Sequence, residues 1–152
     1  MLNSRLAEPW NWADEGDLPF WVPRVWTVRI PCGQHFEAIR VPAGEAARAH
    51  TILGPDSGPV LASAYAQSWH FLLDLGAVAP GSWDVPGTRL LRPGTILGVP
   101  PAHITFGRDV RWVVLPGRGA TDPAALQEAI AGRAPIPPAV RRRDRRSASS
   151  HR

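Results

Sequence analysis

A chain of 152 residues is long enough to bury one real core, and a division into two domains would leave very small units. All 17 basic residues are arginine, yet the formal charge of +4 is uneven: residues 139–152 hold six Arg and one Asp (+5), and residues 1–138 hold eleven Arg and twelve acids (−1). The part expected to fold is therefore not basic, and the single cysteine, Cys32, excludes an internal disulfide and a cysteine-rich zinc site.

No apolar run approaches the roughly 18 residues of a membrane span, and Met1–Asn11 lacks the charged-then-apolar pattern of a secretion signal. These features predict a cytoplasmic protein with no membrane partner. Residues 1–23, with Trp10, Trp12, Phe20 and Trp21 among acids and prolines, read as an extended arm whose rings pack on the domain.

Arg24–Ile30 alternates as a half-buried strand would, Pro31-Cys32-Gly33-Gln34 turns the chain, and His35–Val41 reads as a second strand. Pro42 suits the first turn of a helix over Ala43–Leu53, which Gly54 stops. Pro59–Ser63 and Trp69–Leu75 form a candidate hairpin around Tyr65–Gln67. Short strands are predicted at Thr88–Leu91 and Thr95–Val99, around Arg92-Pro93-Gly94, and at Asp109–Leu115. Thr121 or Asp122 can cap a last helix that starts at Pro123 and ends near Gly132.

That order predicts an α+β fold with a mainly antiparallel sheet and two helices. The single domain spans residues 24–134, followed by a Pro/Arg/Ser-rich tail at 135–152 whose composition predicts disorder.

Side chains alternate along a strand, so Ser68 and His70 share a face. A hydroxyl and an imidazole there can hold a phosphate, although such a His is equally satisfied by a backbone carbonyl at a sheet edge. Upstream, Glu37 shares a face with His35, and Arg40 points the other way. A two-metal centre needs several carboxylates, and Glu37 is followed by Ile39 where a second acid would stand; Asp84 and Asp74 are the other candidates. A Ser68/His70/Asp84 hydrolase lacks the nucleophile elbow, and Cys32 with His35 lacks an orienting partner. The run Arg141, Arg142, Arg143, Arg145, Arg146 can meet nucleic-acid phosphates or simply solvate the tail. Among the seven Trp residues, Trp26, Trp69 and Trp112 are expected in the core and Trp83 in an exposed loop.

Ser68-Trp69-His70-Phe71-Leu72, then Gly87 to Pro101 with its Pro100-Pro101 turn, then Arg111-Trp112, resemble the second half of the bifunctional DNA primase/polymerase (prim-pol) domain of the archaeo-eukaryotic primase superfamily, over about residues 35–115. The segment from Cys32 to Pro42 is also similar to one in short actinobacterial proteins. The resemblance implies that Ser68 and His70 engage an incoming nucleotide, with Arg40 and Arg111 as further nucleotide-binding residues. It also places the metal motif at Glu37-Ala38-Ile39, where only the first acid stands.

The expectation is a diverged primase/polymerase-type domain that binds nucleotide or nucleic acid with weak or no catalysis. Glu37 and His70 are its candidate catalytic residues, and Glu37 and Asp84 its candidate ligands for Mg2+ or Mn2+. Two alternatives stand beside it. One is an active metal-dependent nucleotidyltransferase; the other is a small regulatory or protein-interaction module, with DNA and nucleoside triphosphate absent from its partners. A common cleft requires Glu37, Ser68 and His70 on one side of the sheet.

Overall fold

The computed structural model describes residues 18–117 and 119–132. Over these the fold is α+β, with seven short strands and two α-helices. Five strands make an antiparallel sheet in the order β5 (Arg89–Leu90), β2 (Glu37–Pro42), β4 (Ser68–Leu73), β3 (Val60–Ser63), β7 (Arg111–Val114). Strands β1 (Val28–Pro31) and β6 (Ile96–Val99) form a separate antiparallel ribbon.

Each face of the five-stranded sheet is covered, as the two-sided apolar character of β2, β3 and β4 requires. On one face Ile39, Val41, Val60, Phe71 and Leu73 meet helix α1 (Ala43–Leu53) through Ala46, Ala49 and Leu53, and helix α2 (Pro123–Ile130) through Leu126, Ala129 and Ile130. On the other, Ala38, Leu61, Leu72 and Trp112 lie under the ribbon residues Ile30, Leu97 and Val99. The indole N–H of Trp112 donates to the Pro100 carbonyl (2.9 Å), which ties the ribbon's exit to the sheet. Leu18, Trp21 and Val22 pack onto this second core, so the end of the N-terminal arm docks its apolar side chains, while Phe20 is 87 % exposed. Trp10 and Trp12 lie outside the described residues, as does the tail from residue 133.

Helix α1 begins at Pro42, which occupies the cap position with no side-chain cap. The Ala43 N–H is met instead by the Gln67 carbonyl at 3.0 Å. Gly54, at φ 54°, ends the helix. Asp122 caps α2, its carboxylate accepting from the Ala125 N–H (2.9 Å), and Pro123 opens the first turn. The Arg48 guanidinium on α1 donates to the Ile130 carbonyl at the end of α2 (3.1 Å), joining the two helices.

Two expectations are corrected, the start of the first strand and the place of Trp26. The first strand begins at Val28 rather than Arg24. The pairing of Val28 with Val99, continued outward, would set Trp26 against Pro101, and the prolines at 100 and 101 have no N–H to extend the ladder. Trp26 is accordingly 77 % exposed and not part of the core. The strands on either side of Pro93-Gly94 do not pair with each other: β5 joins β2, and β6 joins β1. Reciprocal hydrogen bonds between Cys32 and the segment Gly94–Thr95 (2.8 Å each) carry the chain from sheet to ribbon.

Candidate functional site

The antiparallel register of β2 with β4 sets Arg40 opposite His70 and Pro42 opposite Ser68, and that of β2 with β5 sets Arg89 opposite Arg40. Alternation then places Arg89, Arg40, His70 and Ser68 on the sheet face that also carries Ala38, Leu61 and Leu72. One row across the sheet reads Arg89, Arg40, His70, Leu61, Trp112. Apolar at one end and cationic at the other, it opens toward the β5 edge into a cavity of about 490 Å³ lined by Arg40, Pro42, Gln67, Ser68, Gly87, Thr88 and Arg89.

Ser68 is 3 % exposed, and among the described residues neither its hydroxyl nor the buried His70 Nδ1 has a hydrogen-bond partner. Such orphans cost free energy in an apolar interior, and a ligand or solvent that reached them would complete the bonding. Burial first, and the Arg40 guanidinium second, push the His70 imidazole down to about 4. At neutral pH His70 is therefore uncharged, with one nitrogen able to donate and the other to accept. The cavity wall at Thr88 is braced locally: the Trp83 indole donates to the Thr88 hydroxyl (2.8 Å), which donates to the Val85 carbonyl (2.8 Å). Trp83 is thus half-buried rather than the exposed ring expected of its loop. Gln67 takes a left-handed backbone at φ 53° beside the cavity, the only non-glycine among the described residues to do so.

Glu37 does not join this group. Its register partner is Leu73, and it alternates with Ile39 and Val41, so it belongs to the helix-covered face, opposite to His70 and Ser68. The common cleft is corrected on this point: the odd-numbered positions of β2 face the helices and the even-numbered ones the ribbon. Glu37 Oε2 accepts from the Gly76 N–H (3.0 Å), which fastens the turn after β4, and its buried Oε1 has no partner among the described residues. Arg111 pairs with Ala62, which places it on the helix-covered face too, on the outermost strand β7 at the far margin from β5. Asp84 and Asp74 are exposed in loops, and neither lines the cavity.

Among the described residues no three His, Cys, Asp or Glu side chains come together as a metal site. The described residues thus do not bring together the carboxylates that would hold the paired Mg2+ or Mn2+ ions the resemblance implies. Cys32 is buried, and burial pushes its thiol up to about 11, which removes it as a nucleophile near neutrality. His35 stacks on Trp21 (6.3 Å between ring centroids) and meets Phe20 edge-on (5.1 Å). The arginines at 141, 142, 143, 145 and 146 lie outside the described residues. No helix among the described residues is long and apolar enough to cross a membrane.

Arg89 is the residue that sequence reasoning missed. Its signal is the pairing of β5 with β2, a contact between segments far apart in the chain, which no local pattern encodes. Comparison with protein-family models, with curated proteins and with solved structures found no match.

Proposed function

We propose that this chain is a diverged primase/polymerase-type domain that binds a nucleotide or nucleic acid through phosphate and does not carry out template-directed synthesis. The observation that carries the reading is the Arg40/Arg89 pair beside the unpartnered Ser68 hydroxyl and His70 imidazole. It unites the Ser-x-His element of the resemblance with the cations a phosphate needs. Catalysis drops out of the reading because in-line nucleotidyl transfer relies on metal ions to align attacking and leaving oxygens, and Glu37 stands on the other side of the sheet.

The test is thermal denaturation with a nucleoside triphosphate, with and without magnesium or manganese, since a ligand seen only by the folded state raises its melting temperature. A rise that Arg40→Ala abolishes is expected. No rise under any condition counts against the reading. Primer extension by the unmodified protein that Glu37→Ala abolishes would promote the active nucleotidyltransferase instead. If nucleic acid is the ligand, removing residues 139–152 should flatten the salt dependence of binding, because fewer phosphate contacts release fewer counterions.

Exposed Trp26 and Phe20 favour a second reading, a protein-interaction module that uses the aromatic segment. Loss of a partner on Trp26→Ala, with no nucleotide-induced rise, would select it.

A further inference from the structure

Arg40 and Arg89 stand directly opposite one another on adjacent strands, an arrangement that destabilises a sheet when both members carry the same charge. Among the described residues no acidic side chain lines the cavity they share. Ser68 lines the same cavity, and its buried hydroxyl has no hydrogen-bond partner among the described residues. Its register partner Pro42 is the cap of α1, so the positive end of that helix adjoins the cavity wall. Every one of these features favours negative charge, and the two guanidiniums favour it concentrated on one group.

We infer that the cavity is a metal-independent site for a terminal phosphate, a phosphomonoester carried on a nucleoside or on the end of an oligonucleotide, with Arg89 selecting it over an internal phosphodiester. The inference rests on the nucleotide-binding reading above and names its ligand class. A phosphomonoester carries about −1.5 to −2 charges near neutrality and three free oxygens, whereas a diester carries a single charge on two. Two planar guanidinium forks from neighbouring strands match the former, each able to grip a pair of oxygens. The Ser68 O–H supplies one more donor. With no carboxylate among the described residues of the cavity wall, a hard divalent cation finds no charged protein ligand there, and the arginines neutralise the phosphate.

The experiment is titration of the full chain, in chelator, with inorganic phosphate, a nucleoside 5′-monophosphate, a 5′-phosphorylated oligonucleotide and its 5′-hydroxyl counterpart, followed by calorimetry. Either phosphorylated nucleotide ligand is expected to bind roughly tenfold or more tightly than the 5′-hydroxyl oligonucleotide, the scale of one charge-assisted contact. Comparing the monophosphate with the phosphorylated oligonucleotide tells which of them carries the group. Magnesium should not strengthen binding.

Arg89→Ala should lose about tenfold or more in affinity and Arg89→Lys less, because an ammonium replaces the fork by a point charge. Arg89→Ala without ligand should melt no lower than the unmodified protein, since it removes a repulsion. The inference is overturned if phosphorylated and hydroxyl ends bind alike, if inorganic phosphate binds tightest, if magnesium is required, or if Arg89→Ala binds normally. In those cases retained nucleotide binding leaves the broader reading standing; no binding of any nucleotide sinks both.

Discussion

His70 is neutral because it is buried and faces Arg40, and that has a measurable sign. In the folded protein it resists protonation down to about pH 4, whereas an unfolded histidine titrates near ~6.5. Its contribution to stability is therefore fully present above pH ~6.5 and falls as the unfolded state takes up the proton, by up to about 3 kcal/mol on reaching pH 4. His50, also lowered by burial, acts in the same direction. His70→Gln should flatten the acid limb of denaturant-derived stability without removing it; an unchanged slope between pH 6.5 and 4 would show that His70 is not held neutral. Glu37 has the opposite character, a structural group on the helix-covered face. Glu37→Ala should lower stability by about 1–2 kcal/mol through the lost bond to the Gly76 N–H, and leave nucleotide affinity unchanged. A large loss of affinity at constant stability would return Glu37 to the site.

At the scale of elements, the parts announced by local chemistry were legible. Pro42 and Gly54 bracket α1, Asp122-Pro123 opens α2, and the β3–β4 hairpin follows its two apolar runs. The pairing of Ser68 and His70 on one face was legible for the same reason, since a period of two is a local property. What could not be read was which strands distant in sequence lie beside one another. The crossing of the chain at Pro93-Gly94 from sheet to ribbon, and with it the meeting of Arg89 with Arg40, depends on contacts distant in sequence. Glu37 was placed with Ser68 and His70 by the motif match alone, and the register of β2 with β4, which pairs Glu37 with Leu73, sets it on the other face. Close approach between distant segments also fixes Gly58, whose N–H donates to the Thr121 hydroxyl (2.9 Å) and where an added Cβ would run into the backbone of Ala120 and Thr121. Gly58→Ala is expected to cost about 1–3 kcal/mol by overpacking, read as a lower denaturation midpoint at constant m-value. A neutral outcome would mean that the segment before α2 shifts freely.

Taken whole, the molecule keeps its cationic cavity at the margin of the main sheet and not in its middle. Strand β5 is only two residues long and among the described residues is held on one side alone, by β2, with the Leu91 N–H continuing to the Ala38 carbonyl (2.9 Å). A margin held by so few bonds opens at a small free-energy cost compared with the centre of the sheet. A ligand that bridges Arg89 to Arg40 would therefore act as a clasp on a thinly held edge strand, and its arrival would be recorded as a change in fluctuation as well as in affinity. The Leu91 amide should exchange its hydrogen more slowly when phosphate is bound, while amides of central β4 stay as they were. Equal slowing across the sheet would place the clasp elsewhere.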